Sequence, residues 1–333
     1  MYLKNYNLQL QSDKLMLKEP AVKLAGLVFF AGFLSIFAED ANARSTSQHY
    51  VKGIVCEDRN SNSLCDADEP GIAGVMVSNQ REVVLTDENG HYQLPAEEEM
   101  IVFITKPAGY DLPLDENNLP RFYYIHHPKG SPTLEFSGLE PTGPLPESVD
   151  FGLIPSEKED SFTAVVLADP TLREQAIPYF RDGVIAELTD VKADFAMVLG
   201  DIMADNLSFY DRYNSIMKTL DMPVFNVVGN HDVNFTELGN RYAKETYKKY
   251  FGPPYFSFEY GDVHFVALDN IDYLGHENGG SYYRGYLNET ILTWIRNNLQ
   301  YVDKDKMLVF LAHIPLYSMD TDARSNNTVN RTE

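Results

Sequence analysis

The sequence predicts an α/β sandwich, with helices flanking mixed β-sheets, preceded by a small all-β sandwich. Beyond Phe162, apolar runs of strand length alternate with stretches of helical periodicity, which is the rhythm of β-α-β units. Between His49 and Leu153, short β-type runs alternate with turn residues. Apolar residues make up 44% of the 333 residues and aromatic residues 12%, enough for a sizeable core. We therefore expect three regions, at residues 1–43, 44–155 and 156–333.

The first region resembles a cleavable signal peptide. Lys18 and Lys23 precede the apolar run 24–37, which is too short for a comfortable transmembrane helix. Ala41-Asn42-Ala43 follows with the small-x-small pattern of a cleavage site. We expect a mature bacterial protein from Arg44 onward, periplasmic or secreted, without a stable membrane anchor.

The second region is predicted to be a small immunoglobulin-like β-sandwich. Its β-type runs include residues 74–78, 82–86 and 100–105, and turn residues such as those at 87–90 separate them. Turn signals at this spacing are typical of sandwich domains. The Pro- and Gly-rich stretch 138–148 predicts a semi-rigid passage to the third region.

One loop of the second region has the spacing of a calcium-binding loop. Six residues occupy positions 1, 3, 5, 7, 9 and 12 of a twelve-residue stretch, as in the EF-hand: Asp58, Asn60, Asn62, Leu64 (through its carbonyl), Asp66 and Glu69. Ser63 stands where that loop has Gly, and no helices flank it. The alternative is an Asx-rich turn whose side chains bond their own backbone.

The two cysteines border this loop. Cys56 and Cys65 are close enough in sequence to form a small disulfide loop. Export would place them in an oxidising compartment, where a disulfide persists. The alternative is a pair of buried thiols.

The third region is predicted to alternate parallel strands with helices. Unbroken apolar runs typical of buried strands occupy residues 164–168, 195–199, 224–228 and 307–312. Helical stretches are predicted at 174–191, 207–220, 237–250 and 289–302. In the last helix a stripe of apolar residues is expected to face the core: Ile291, Leu292, Ile295 and Leu299.

Each apolar run delivers polar side chains at its carboxyl end. Asp169 and Asp201 follow the first two runs, Asn230 and His231 follow the third, and His313 follows the fourth. Open α/β sheets carry their chemistry beyond the carboxyl ends of their strands, so we expect these side chains to meet. Mixed nitrogen and oxygen ligands without sulfur suit manganese, iron or zinc better than copper or calcium. The sequence therefore predicts a dinuclear metal site.

Four motifs, in this order, resemble those of the calcineurin-like metallophosphoesterases: Asp169, Gly200-Asp201, Gly229-Asn230-His231-Asp232 and Ala312-His313. The resemblance covers most of residues 162–318. The hairpin sequence 251–270 is similar to the one that follows the family's Asn-His motif. Residues 58–79 resemble the N-terminal domain attached to some bacterial members, and the B-repeats of surface adhesins. The resemblance implies hydrolysis of phosphate mono- or diesters by two divalent ions and a bridging hydroxide.

The resemblance also implies roles for the site residues. Asp169 would hold the first ion, and the Asp201 carboxylate would bridge both. Asn230 and His313 would hold the second ion. His231 would bind no metal but steady the transition state and protonate the leaving oxygen. Asp205 would orient that imidazole, although a helix cap explains this residue equally well.

Two features depart from the family pattern. Thr171 stands where the first motif commonly has a ligating His, and Gln175 is a weak substitute one helical turn later. No Gly-His-x-His motif follows His313 before the sequence reaches Glu333. We therefore expect a C-terminally truncated domain. The alternative function is an inactive fragment, or a surface binding protein that uses the calcium loop.

Net charge narrows the choice of partners. The formal net charge is −22 at pH 7 and the pI is about 4.7. Binding of duplex nucleic acid is not expected, because it requires a basic footprint. A phosphate-ester substrate would also be repelled, unless bound cations invert the local field.

Several other chemically interesting side chains are predicted to be structural. His264 is expected to be packed within a sheet, and His126 and His127 to form a surface pair. Tyr282, Tyr283 and Tyr286 would be ordinary core and surface aromatics, with stacking on a substrate as the alternative.

Overall fold

The computed structural model describes residues 49–157, 161–237, 239–277 and 280–316. The predicted signal peptide and the polar stretch at the end of the sequence lie outside these residues. The described residues all belong to one compact unit, so the two predicted folded regions pack against each other. None of the described helices is long and apolar enough to cross a membrane.

The N-terminal part contains eight described strands: β1 (Tyr50–Glu57), β2 (Met76–Ser78), β3 (Val83–Leu85), β4 (His91–Pro95), β5 (Met100–Ile104), β6 (Tyr110–Asp111), β7 (Tyr123–His126) and β8 (Phe151–Pro155). They form two four-stranded sheets, with strand orders β4-β1-β8-β6 and β3-β2-β5-β7. Val55, Val77, Leu94 and Val102 are fully buried in the core, as expected where apolar side chains alternate along strands. Cys56 and Cys65 are joined by a disulfide bridge.

The expectation of a surface pair at His126 and His127 was wrong. Their exposed fractions are only 6% and 5%. They are buried because the 127–142 loop, which closes on itself through a hydrogen bond from Thr142 N to His127 O, packs against the α/β part. His127 Nε2 lies 3.3 Å from Oε2 of the buried Glu245.

The α/β part contributes the remaining described elements. Its strands are β9 (Ala164–Leu167), β10 (Phe195–Leu199), β11 (Val224–Val227), β12 (Phe256–Tyr260), β13 (Val263–Leu268), β14 (Ile271–Glu277), β15 (Gly280–Gly285) and β16 (Met307–Ala312). Its α-helices are α1 (Ile177–Tyr179), α2 (Ala186–Leu188), α3 (Tyr210–Met217), α4 (Asn240–Ala243), α5 (Glu245–Phe251) and α6 (Glu289–Leu299). A π-helical stretch, Phe180–Ile185, joins α1 to α2, and 3₁₀ turns at Leu207–Phe209 and Lys218–Leu220 flank α3.

Two three-stranded sheets face each other in this part. The sheet β11-β10-β9 is parallel throughout, whereas in β12-β13-β16 the central β13 is antiparallel to β12 and parallel to β16. Aromatic side chains fill the interface, and the rings of Phe225 and Phe258 stack 4.0 Å apart. The predicted fold class, helices flanking mixed sheets after a strand-rich N-terminal part, is confirmed.

In helix α6, the predicted apolar stripe can be compared with the residues that the structure buries. Asn288 caps the helix by accepting a hydrogen bond from Ile291 N. Ile291 is buried, and the other members of the predicted stripe are half-buried against the core. Trp294, which the stripe did not include, is fully buried.

The two parts share one hydrophobic core. The ring of Phe103 in β5 lies 5.9 Å from that of Trp294 in α6. Polar contacts reinforce this junction, since Thr105 Oγ1 lies 2.7 Å from Ser257 Oγ, and Glu259 N donates to the carbonyl of Lys106 at 2.8 Å. The N-terminal part is therefore packed directly on the edge of the second sheet.

Candidate metal centre

The four predicted ligands lie together at the carboxyl ends of their strands. Ligand atoms of Asp169, Asp201 and His313 all lie within 4.8 Å of one another. Asn230 Oδ1 lies 3.0 Å from His313 Nε2. The parallel order of β9, β10 and β11 places three of these loops side by side, and β16 delivers His313 from the facing sheet.

Two glycines allow the strand-end loops to come this close. Gly200 has a φ of +84°, and a Cβ there would lie 2.7 Å from His313 Nδ1. At Gly229 a Cβ would lie 2.0 Å from Asp201 N. Any side chain at these positions would push the ligand loops apart, which explains why the motifs that carry Asp201 and Asn230 begin with Gly.

The site stores backbone strain in its acidic residues. Asp169, Asp201 and Asp205 have φ values of 51°, 50° and 69°, in the left-handed region that non-glycine residues rarely adopt. Such conformations cluster at functional sites, where the surrounding structure imposes them.

His313 is held with one ring nitrogen directed at the other ligands. Its Nδ1 donates to the carbonyl of Leu199 at 2.9 Å. Its Nε2 therefore faces the oxygens of Asn230 and Asp201, at 3.0 and 3.3 Å. In the neutral ring these are three acceptors converging on one point, an arrangement that a cation satisfies. The donor set fits a divalent ion with mixed nitrogen and oxygen ligands.

The electrostatics of the site favour positive charge in the same place. Burial alone would lower the pKa of His313, but its hydrogen bond to Asp201 and the charge of that carboxylate raise the pKa to about 9. Burial likewise opposes ionisation of Asp201, yet the bond and charge of His313 keep the pKa of Asp201 below its usual value. The Asp201 carboxylate thus stabilises positive charge at the His313 ring, beside the place where a metal ion would bind.

His231 and Asp205 form a pair beside the ligands. The Nδ1 of His231 donates to the Asp205 carboxylate, while its backbone N donates to Asp201 Oδ1 at 2.8 Å. Its Nε2 lies 3.9 Å from Asp201 Oδ2. Asp205 is therefore paired with His231, and its role in orienting the imidazole stays a prediction.

Asp232 organises the site, although the sequence reasoning gave it no role. It is fully buried and accepts hydrogen bonds from Gly229 N, Ile202 N and Met203 N, at 2.9 to 3.2 Å, and from Tyr210 Oη at 3.0 Å. Burial, and then the charge of Asp201, raise its pKa to about 6. It ties the β10 loop to the β11 loop, and its place in the Gly-Asn-His-Asp motif was the available signal.

The end of β13 adds a second support that the sequence reasoning missed. Asn270 donates to Ile314 O at 2.5 Å and accepts from Ile314 N at 3.3 Å, which fixes the segment that carries His313. The neighbouring Asp269 forms a buried ion pair with Lys244, with N–O distances of 2.7 and 2.6 Å. The Asp-Asn pair after the hairpin strand was a fifth strand-end signal.

Thr171, which stands where the family commonly has a ligating His, forms hydrogen bonds to the backbone of two of the predicted ligands. Its backbone N donates to Asp201 O at 2.7 Å, and its hydroxyl donates to Asp169 O at 3.2 Å. Gln175 is exposed.

A cavity of about 460 Å³ opens next to the ligands. Six described residues line it: Glu135, Asp205, Asn230, His231, Phe235 and Tyr283. Burial and the charge of Asp201 raise the pKa of Tyr283, so this tyrosine remains a neutral hydroxyl near the metal ligands.

The loop with calcium-type spacing has its oxygens bonded within the loop. Asp58 is fully buried and accepts from the backbone N of Asn62 and Ser63, at 3.0 and 2.8 Å. Glu69 accepts from Asp66 N and Arg59 N. The amides of two asparagines donate to Asp66 Oδ2, both at 2.8 Å: Asn60 and Asn62. This is the geometry of the Asx-rich turn.

Comparison with known proteins gives two family matches. Residues 59–140 match the N-terminal domain of calcineurin-like phosphoesterases, and residues 168–331 match calcineurin-like phosphoesterase itself. No curated protein matches the chain.

Two solved structures are similar to the chain. A dimetal phosphatase from Danio rerio is 17% identical, with a TM-score of 0.34, over 48% of this chain and 71% of that one. A purple acid phosphatase from yellow lupin (Lupinus luteus) seeds is 15% identical, with a TM-score of 0.33, over 74% of this chain and 47% of that one. The chain thus spans about half the length of the lupin protein.

Proposed function

The chain belongs to the calcineurin-like phosphoesterases, a family of hydrolases, and we propose that it cleaves phosphate mono- or diesters with two divalent ions bound at the strand-end site. The observation that carries this proposal is the convergence of Asp169, Asp201 and His313 within 4.8 Å, with Asn230 beside them. Manganese, iron and zinc are the metals that suit this donor set.

The described residues divide the work of hydrolysis. When bound, the ions supply charge neutralisation and an activated water. Asp201 would serve both ions, because its carboxylate lies within 4.8 Å of Asp169, the proposed ligand of the first ion, and of His313, a proposed ligand of the second. His231, oriented by Asp205, presents Nε2 for proton transfer to the leaving oxygen.

Hydrolysis and metal content together test the proposal. We expect the protein, loaded with manganese, iron or zinc, to hydrolyse p-nitrophenyl phosphate or its diester. Asp201→Asn should lower kcat at least ~100-fold and reduce the metal bound, measured by mass spectrometry, because it removes the shared carboxylate. The matched control is Asp190→Asn, an exposed aspartate in the same part of the chain, which should change neither quantity.

Either of two results would overturn the proposal. One is less than one ion per chain after loading, which would favour an inactive fragment. The other is full metal content with no turnover of either ester, which would favour a binding function.

We also propose that the 58–69 loop binds calcium. The spacing of its ligands and the complete burial of the Asp58 carboxylate support this. Binding would require Asn60 and Asn62 to turn their amide oxygens inward. Calorimetric titration with Ca²⁺ should show a binding site in the unmodified protein, and Asp66→Asn should weaken that binding. If neither the unmodified protein nor the variant gives a measurable heat of Ca²⁺ binding, the proposed calcium site is rejected.

Finally, we propose that the protein is exported to the periplasm or secreted. The signal-like pattern of residues 18–43 supports this, as does the disulfide between Cys56 and Cys65. N-terminal sequencing of the mature protein should begin at Arg44. A mature protein that retains the apolar run would contradict cleavage.

A further inference from the structure

The cavity beside the metal centre has one wall from the N-terminal part of the chain. The 127–142 loop supplies this wall through Glu135. The next residue, Phe136, is held on both sides, since its N donates to Asn234 Oδ1 at 3.0 Å and its carbonyl accepts from Thr246 Oγ1 at 2.7 Å. Asn234 Nδ2 in turn donates to Thr246 Oγ1 at 2.8 Å, so the loop is fixed next to the loop that carries His231.

Glu135 brings an uncompensated negative charge to the cavity. Its side chain is exposed and has no cationic partner among the described residues. The other acid in the wall, Asp205, is engaged by His231. No lysine or arginine of the described chain lines the cavity, so a second anionic group on a substrate would find no counter-charge there.

Two aromatic rings complete the wall. Phe235 is half-buried, and its ring centre lies 6.0 Å from that of His231. Tyr283 is half-buried against the core and faces the same cavity. The faces of aromatic rings carry negative potential and attract ammonium groups.

We propose that this cavity binds a cationic group on the leaving alcohol, so that the preferred substrates are phosphate esters of amino alcohols. The inference rests on the proposed phosphoesterase function, because it takes the phosphate to lie at the metal ligands. The leaving oxygen then lies beside His231, and the alcohol extends into the space bounded by Glu135, Phe235 and Tyr283. Carboxylate and aromatic faces together select an ammonium group over a neutral group of the same shape.

A pair of isosteric substrates tests this selection. Phosphocholine and 3,3-dimethylbutyl phosphate share shape and phosphate but differ in the positive charge. We expect kcat/KM to favour phosphocholine by about tenfold or more, which corresponds to about 1.4 kcal/mol. Glu135→Gln keeps the size of the side chain and removes the charge, so it should lower this ratio about five- to tenfold. High salt should reduce the ratio in the unmodified protein more than in the variant.

A matched control tests whether the effect depends on a negative charge at the cavity wall or only on the net charge of the protein. Glu140 lies in the same loop and is exposed but does not line the cavity, so Glu140→Gln should leave the ratio unchanged. A ratio near one in the unmodified protein, or a ratio that Glu135→Gln does not lower, would overturn the inference. Equal losses in the two glutamine variants would also overturn it, because net charge alone would then be responsible.

Turnover of p-nitrophenyl phosphate distinguishes failure of the inferred substrate preference from failure of the proposed phosphoesterase function. If the metal-loaded protein hydrolyses that ester but does not discriminate between the isosteres, only the inference fails. If the protein hydrolyses the p-nitrophenyl diester but none of the three monoesters, the proposed function stands and the inference fails. If it hydrolyses neither the three monoesters nor that diester with any of the metals, the proposed function itself fails.

Discussion

Single residues in this site act in two groups, those that would touch the metal ions and those that hold the first group in place. Asp201 and His313 belong to the first group, and their mutual contact explains why each shifts the other's pKa towards the charged form. Asp232 and Asn270 belong to the second group. Both are buried and hydrogen-bonded to the backbone of a ligand-bearing loop. The positioning of the ligands therefore depends on residues that contact no ligand atom.

Asp232 gives the strongest prediction at the residue scale. Asp232→Asn would replace one carboxylate oxygen by an NH₂ group. That group would face either the backbone donors of Gly229 and Ile202, which Oδ2 now satisfies, or the donors of Met203 and Tyr210, which Oδ1 now satisfies. We expect the free energy of unfolding to fall by ~3–5 kcal/mol, because buried donors lose their acceptor. Urea unfolding measures this change, and the exposed Asp190→Asn provides a control that should stay within ~0.5 kcal/mol. A loss below ~1 kcal/mol would show that the loop accommodates the amide.

At the scale of elements, the positions of the strand ends determine which side chains meet at the proposed metal site. The sequence was sufficient to predict the strands, because unbroken apolar runs mark buried parallel strands, and β10 begins and ends where its run does. It was also sufficient to expect Asp169, Asp201, Asn230 and His313 at neighbouring strand ends. The structure brings all four together.

The elements that escaped the sequence reasoning depend on long-range contacts. The buried state of His127 arises from Glu245, more than a hundred residues away, and no local pattern reports such a neighbour. The same holds for Glu135, which reaches the cavity only because Asn234 and Thr246 hold its loop. Periodicity records which face of an element is buried, but not which distant side chains cover it.

Gly229 tests the close approach of the two ligand loops. Gly229→Ala would place a Cβ 2.0 Å from Asp201 N and 2.3 Å from Asp201 Oδ1, so the loops must separate. We expect metal affinity to fall at least ~tenfold, measured by titration against a competing chelator, because ligand spacing changes.

Gly183→Ala is the matched control for this prediction. A Cβ at Gly183, in the π-helical stretch, meets no atom within 4 Å. It should leave metal affinity unchanged and raise the free energy of unfolding by up to ~1 kcal/mol, because alanine restricts the unfolded chain. Equal metal affinity in the two variants would mean that the ligand loops do not depend on the contact at Gly229.

At the scale of the whole molecule, the two sequence regions share one hydrophobic core, which predicts that they unfold together. A single hydrophobic cluster contains residues from both, including Phe103 and Val77 from the N-terminal sheets and Phe258 and Trp294 from the α/β part. The 127–142 loop, which belongs to the N-terminal part, also contributes Glu135 to the wall of the cavity beside the proposed metal ligands. Removal of the N-terminal part would therefore expose core surface and also remove the Glu135 wall of the cavity.

Trp294 fluorescence can report whether the two parts unfold together, because this residue is the protein's only tryptophan and lies where the two parts pack on each other. Its ring is 5.9 Å from that of Phe103 and 5.1 Å from that of Tyr255. We expect tryptophan fluorescence and far-UV circular dichroism to give the same urea midpoint, as in two-state unfolding. Phe103→Ala should lower the free energy of unfolding by ~3–5 kcal/mol and shift both curves together.

Leu85→Ala is the control for the junction, since Leu85 belongs to the same N-terminal part but is 42% exposed. It should change the free energy of unfolding by less than ~1 kcal/mol, because little apolar area is lost. If fluorescence changes at lower urea than the dichroism, the junction opens before the sheets unfold. The two parts would then be separable domains, and the Glu135 wall would be able to leave the cavity without unfolding of the α/β part.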